Sequence, residues 1–338
     1  MTSLLAVNGF IHSVSDPYAT AILIDDGVVA WVGADDTAEK VAAAQAPNAQ
    51  LVDLHGALVA PAFLNSFTTE DSVTGRAEYG EVLYTTTAVR PSAHAVPYVP
   101  LDRADADTQS HLYVDLNDVS HVDAALRLSR ADRRQLLFHS HREHQLAALL
   151  PLLVDDRAQR QFPGSHRLIL GHLITDDDVS QLNGLGVSVT VVPSPETETI
   201  TAPVASLLSA GIPVSLGTGS TPHSLWHGVR SLLEHQDPDQ RVSARAGFTA
   251  ATRAGARALP ADLVQTWMNA SRLAPGSPAH LNLWRADELS VQAPDGRVSG
   301  WSTDARAGTP LLPVLGGDTP LPQLIAHLYE GNLKFGTL

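Results

Sequence analysis

Between residues 111 and 258 short apolar runs alternate with longer helical stretches, and this rhythm restricts the fold more than any other feature of the chain. His111–Leu116, Gln135–His139, Arg167–Leu170, Val187–Val191 and Val214–Leu216 read as strands. Helical patterns cover Val122–Arg130, Glu143–Arg160, Asp176–Leu185, Val204–Ala210, Leu225–Leu233 and Ala244–Ala258. A strand followed by a helix cannot return as a hairpin; the crossover brings the chain back in the same direction, so the strands are parallel. An α/β sheet or barrel follows. The ends of the chain behave differently. Leu4–Asn8, Ala21–Ile24, Val28–Val32, Gln50–Leu54 and Ala57–Phe63 are β-prone, with Asp26-Gly27 suited to a hairpin, and a helical patch at Thr37–Ala46 interrupts them. After Pro275-Gly276 the β pattern resumes at Leu281–Trp284, Val298–Trp301 and Leu311–Val314. Residues 1–60 and 277–338 are therefore expected to pair into one small β-sandwich flanking a barrel formed by residues 61–276.

Composition narrows the chemistry. The chain has 338 residues, a formal charge of −14 and no basic cluster, which argues against nucleic-acid or anionic-membrane partners. It has no cysteine, so disulfides, zinc-thiolate sites and cysteine nucleophiles are excluded. The apolar stretch Leu146–Val154 contains Pro151 and is about half of a membrane span. With no basic stretch near Met1, a cytoplasmic location is expected. Fifteen histidines remain as the available soft-metal ligands and general bases.

Several segments resemble the amidohydrolase superfamily in order and spacing. Asp53-Leu54-His55-Gly56-Ala57-Leu58-Val59-Ala60-Pro61-Ala62-Phe63-Leu64 is similar to the approach to that family's first barrel strand. Leu170-Gly171-His172 with Asp176-Asp177-Asp178-Val179 resembles its sixth strand and following helix, and Gly211-Ile212-Pro213-Val214-Ser215-Leu216-Gly217-Thr218 its eighth strand. The most specific matches are the helix Phe248–Leu259 and Pro275-Gly276-Ser277-Pro278-Ala279-His280-Leu281-Asn282-Leu283. The resemblance implies a distorted TIM-like (β/α) barrel, a sandwich built from both termini, and metal-assisted hydrolysis of C–N bonds at the C-terminal mouth of the barrel. It also implies the ligands: two His after strand one, one after strand five, often one after strand six, and an Asp ending strand eight.

The chain departs from that set. Asn65-Ser66-Phe67-Thr68-Thr69 stands where the family has Asp-x-His-x-His, so Phe67 and Thr69 occupy the two His positions. Thr218-Gly219-Ser220 puts glycine at the strand-eight Asp. Phe67, Thr69, Gly219 and Ser220 are thus expected to line a pocket. His139 and His172 match the strand-five and strand-six positions, and His141 and His223 are the nearest residues able to complete a relocated set of ligands for a single zinc ion. Glu143 is the candidate acid/base. Only two strands, Glu81–Val89 and His111–Leu116, read clearly in the roughly seventy residues between strands one and five, with Pro91–Gln109 reading as loop. Full βα units want roughly thirty residues each, so a reduced barrel is expected. Two functions stay open. One is a non-hydrolytic protein with an eroded metal site and no cofactor, binding a small molecule or serving a structural role in a homo-oligomer. The other is a cyclic amide hydrolase or deaminase with an atypical metal site.

Overall fold

The computed structural model describes residues 3–69, 76–87, 94–104, 111–161, 165–292, 301–302 and 309–338. The chain opens with β1 (Leu4–Val7), β2 (Phe10–Ile11), β3 (Ala21–Asp25), β4 (Val28–Gly33), helix α1 (Asp35–Gln45), β5 (Gln50–Asp53) and β6 (Leu58–Pro61). Barrel strands follow as β7 (Phe63–Thr68), β8 (Glu81–Thr86), β9 (Ala95–Pro100) and β10 (His111–Asp115). Helices then separate the remaining strands: α2 (Val122–Asp132), β11 (Leu136–Ser140), α3 (Glu143–Gln159), β12 (His166–Leu170), α4 (Asp176–Leu182), β13 (Val187–Val191), α5 (Val204–Ser209) and β14 (Val214–Leu216). Four helices complete this part, α6 (Leu225–Leu233), α7 (Ala244–Ala250), α8 (Arg253–Ala258) and α9 (Ala261–Ala270). The last strands are β15 (Leu281–Arg285), β16 (Leu289–Gln292), β17 (Trp301–Ser302), β18 (Leu312–Pro313), β19 (Gln323–Tyr329) and β20 (Asn332–Gly336).

Strands β7 to β14 form one eight-stranded sheet in sequence order, parallel throughout, and a parallel bridge from Thr68 to Gly219 brings its first and last strands together. This is a TIM-like barrel. The alternation along each strand decides its two faces. Leu136 and Phe138 of β11, Leu168 and Leu170 of β12, and Val189 and Val191 of β13 pack outward in the same apolar cluster as Leu146, Leu149, Leu182 and Trp226 of the helices. Leu137, Ile169, Leu64, Leu83, Val96 and Tyr98 form a second cluster inside the barrel.

The expectation of a reduced barrel needs correction. Three strands, not two, lie between β7 and β11; the extra one is β9, in the stretch that reads as loop because Pro97 and Pro100 interrupt it. It is a strand all the same, paired on both sides, with Tyr84 opposite Ala95 and Tyr98 opposite His111. What is short here is the set of connections. Among the described residues they hold single 3-10 turns, Ala77–Tyr79 and Leu101–Arg103, in place of crossover helices. Two boundaries also shift. The run expected as one strand from Ala57 to Phe63 divides at Ala62, so β6 belongs to the sandwich and β7 to the barrel. The expected helix over 244–258 breaks at Thr252, whose hydroxyl donates to the Phe248 carbonyl (2.7 Å). Residues 298–300 of the expected strand at Val298–Trp301 lie outside the described residues.

Both ends of the chain share one five-stranded sheet, β2-β6-β15-β19-β20, in which β6 pairs antiparallel with β15. It faces the four-stranded sheet β4-β3-β1-β5, and Leu4, Ile22, Ile24 and Val29 of one meet Val59, Leu281, Leu283 and Leu328 of the other. The result is the small sandwich expected from the termini.

Candidate functional site

Parallel register carries neighbouring side chains to the same end of the barrel. Leu137 lies opposite Tyr113 and Arg167, while His139 lies opposite Asp115 and Ile169. Tyr113, Asp115, His139 and His141 therefore climb one wall of the C-terminal mouth, where TIM-barrel sites form. The Tyr113 hydroxyl is hydrogen-bonded to His139 Nδ1 (2.8 Å). His141 Nε2 donates to Asp115 Oδ1 (3.0 Å), and the two imidazole rings lie 3.9 Å apart. Burial, reinforced by the neighbouring His141, holds the His139 pKa down to about 3, so its ring is neutral. Burial likewise pushes the Tyr113 hydroxyl up, with the Asp115 charge adding to the effect. Beside this wall a pocket of about 360 Å³ opens, lined by Leu101, Asp102, Arg103, Tyr113, Asp115 and His121 among others.

The opposite wall is the β7–β14 seam. Phe67 is buried, 1% exposed, with its ring edge-on to His139 at 5.3 Å and parallel to Tyr113 at 6.4 Å. The seam is laced by backbone bonds: Gly219 N–H donates to Phe67 O (3.0 Å), and Thr69 N–H donates to Gly219 O (2.9 Å). Asn65 braces it further, donating to Thr218 Oγ1 (2.8 Å) and accepting from Thr218 N–H (3.2 Å). Two glycines permit this approach. A Cβ on Gly217 would sit 2.7 Å from the Phe67 carbonyl oxygen. Gly219 is left-handed, φ +57°, and a Cβ there would meet Val192 at 3.3 Å.

Beneath the mouth the barrel is bridged by Arg167. Its fully buried guanidinium donates to Thr85 Oγ1 (3.1 Å), to Thr190 Oγ1 (3.0 Å) and to the Ser66 carbonyl, and faces the Tyr98 ring at 5.7 Å. One side chain on β12 thus ties β7, β8 and β13 across the interior.

The residues singled out from the sequence separate into groups. His139 and His141 come together, with Phe67 against them. His172 stands beside β11, with Nε2 on Ser140 Oγ (2.9 Å) and Nδ1 donating to the Leu173 carbonyl (2.8 Å). His223 turns elsewhere, to Glu198 (3.4 Å) and the face of His227 (4.4 Å). Thr69 and Ser220 are exposed at the rim, and Glu143 is the exposed first residue of α3, where its charge complements the helix N-terminus. Tyr113, Asp115 and Arg167 were not singled out from the sequence. For the first two a signal existed: they stand at i and i+2 on the strand next to His139, on the same face.

A divalent ion wants at least three protein ligands with free lone pairs converging on one point. At this mouth both ring nitrogens of His172 are engaged and Phe67 lies edge-on to His139, and among the described residues no group of three or more His, Asp or Glu is placed to hold a metal ion.

An eight-stranded parallel barrel with a sandwich of both termini is the architecture that the resemblance to the amidohydrolase superfamily implies. No protein-family model matches the sequence, and no curated protein matches it. Solved structures do. The chain is similar to N-isopropylammelide isopropylaminohydrolase from Burkholderia multivorans (TM-score 0.60, 15% identity, 98% of each chain covered). It is similar to an amidohydrolase from an environmental sample of the Sargasso sea (TM-score 0.64, 15% identity, 99% of this chain and 93% of that one). A third is atrazine chlorohydrolase TrzN from Arthrobacter aurescens TC1, solved with zinc (TM-score 0.62, 14% identity, 98% and 94% covered). At these identities the likeness is one of fold. Among the described residues no helix is long and apolar enough to cross a membrane.

Proposed function

We propose that this chain keeps the amidohydrolase fold without metal-assisted hydrolysis, and that its barrel mouth holds a small polar molecule. The observation that carries this reading is the β7–β14 seam. Phe67 and Gly219 stand where the resemblance places ligands, with Phe67 packed edge-on to His139 and Gly219 left-handed against Val192, where any added side chain is strained, and this supports the reading. What remains at the mouth is suited to holding polar groups: the Asp115–His141 pair, His172 on Ser140, and the adjoining pocket with Asp102, Arg103 and His121.

Protein purified without a histidine tag from zinc-supplemented medium tests this. Far less than one zinc per chain is expected, with no turnover of cyclic amides or aminopurines above the blank. About one zinc per chain, lost in His139→Ala and His172→Ala together with hydrolysis, would overturn the reading. Gly219→Asp is a second check. Forcing a carboxylate onto a left-handed residue against Val192 is expected to cost about 1–2 kcal/mol of stability, read as a lower urea midpoint. Should Gly219→Asp combined with Phe67→His and Thr69→His bind one zinc without loss of stability, the seam is not the barrier argued here.

The Asp115–His141 pair favours a second reading, a C–N hydrolase using a carboxylate-oriented imidazole as general base. The similar solved structures are hydrolases by name, which fits it. Turnover that survives chelation and is lost in Asp115→Asn would establish it.

A further inference from the structure

We propose that the end of the barrel opposite the mouth carries a second binding site, which takes an amphiphilic monocarboxylate with a tail of about eight carbons. A cavity of about 340 Å³ lies beside the first residues of β14, between α5, α6, α7 and α8. It exists because small side chains face large ones across a gap. Ala246, Ala250 and Ala254 recur every fourth residue along α7 and α8, and they leave open the space toward Leu208, Val214 and Leu232.

Little on the wall can hold water. The two hydroxyls that line it are engaged locally: Ser243 Oγ accepts from the Ala246 N–H (3.2 Å) and Thr249 Oγ1 donates to the Arg245 carbonyl (2.7 Å). The remaining side-chain donors are the guanidinium groups of Arg245 and Arg257, both exposed at the rim. Neither has a hydrogen-bond or ion-pair partner among the described residues. Two unpaired cations are notable in a chain that carries 36 acidic residues against 22 basic ones, where surface arginines have many carboxylates to pair with. A guanidinium matches a carboxylate as a two-point donor, and the apolar wall matches a hydrocarbon tail. Cavities of this size accommodate small ligands of about ten heavy atoms. The site stands apart from the mouth and does not depend on what the mouth does.

Isothermal titration of the intact chain with sodium octanoate tests the proposal, with acetate and octyltrimethylammonium as controls. Octanoate is expected to bind once per chain, acetate too weakly to measure, and the cation not at all. Arg245→Gln with Arg257→Gln, at exposed positions, is expected to weaken octanoate by about tenfold or more with unchanged circular dichroism. Ala250→Leu fills the cavity without touching charge and is expected to weaken it as well. If that variant fails to fold, the arginine pair alone decides the matter. Equal binding of octanoate and octyltrimethylammonium, no heat with octanoate, or affinity unchanged in the arginine pair overturns the proposal. Affinity that disappears in His141→Ala instead places the ligand at the mouth and overturns it too.

Discussion

Arg167→Ala is expected to lower unfolding stability by about 3–5 kcal/mol, the largest loss from any single substitution considered for this chain. Two costs combine. The Ser66 carbonyl and the Thr85 and Thr190 hydroxyls lose a charged donor in a place water does not reach. Each buried group left unsatisfied costs about 1–3 kcal/mol, though hydroxyls that re-pair with a neighbour recover part of it, as Thr190 can with Ser215 at 3.0 Å. A void the size of an arginine side chain also opens between Leu137, Ile169 and Tyr98. Against these stands the gain from removing a buried cation that has no carboxylate within hydrogen-bonding reach among the described residues. Arg167→Met separates the terms. It keeps most of the volume and removes both the charge and the donors, so it is expected to cost about half as much as the alanine. Equilibrium unfolding in urea reads both. A methionine variant as stable as the parent would mean that the bonds across the barrel contribute nothing net, and an alanine loss below about 1 kcal/mol would mean that the interior closes over the gap.

Arg167 also marks where the sequence stops being readable. Strands β11 to β14 were legible because each is a short apolar run between amphipathic helices, and burial on both faces leaves no other reading. Pro97 and Pro100 hid β9, since a residue without an N–H argues against a central strand. The strand forms because β8 and β10 fix its register from both sides, which is information held by other parts of the chain. The same holds for the site. His139 could be placed from its position at a strand end, and Asp115 could have been placed beside it, because adjacent parallel strands with period-two alternation bring Tyr113/Asp115 level with Leu137/His139. Nothing local places His223 with Glu198 and His227, because that loop's course is set by packing. Arg167 sits in a β-prone run where a charge would ordinarily face solvent; its inward direction follows from barrel closure alone.

Stability is expected to fall steeply as pH drops from about 6.5 to 4, before most carboxylates titrate. Burial holds His12, His280 and His327 at a pKa of about 4 and His139 at about 3, against 6.5 for an unhindered imidazole. His280 and His327 are further lowered by positive neighbours: His94 acts on both, and His280 and Lys334 act on His327. Glu330, which offsets part of this at His94, has its backbone N–H on His280 Nδ1 (3.2 Å), a bond that requires an unprotonated ring nitrogen. The folded pKa lies below the unfolded one in every case. The full contribution is therefore present above pH 6.5 and is lost as the unfolded chain takes up protons that the folded chain refuses. Each histidine adds a slope of about 1.4 kcal/mol per pH unit, so four acting together approach about 5 kcal/mol per unit between pH 6 and 4.5. That is comparable with the whole stability of an ordinary domain. Urea midpoints measured at half-unit steps from pH 7.5 to 4.5 read the slope. His280→Asn with His327→Asn keeps an acceptor for the Glu330 N–H and a donor for Asn282 Oδ1 (2.7 Å from His327 Nδ1), and is expected to halve the slope above pH 5. Midpoints that stay level from pH 7 to 5, or a slope unaltered in the double variant, would mean that these imidazoles protonate within the folded protein at no cost.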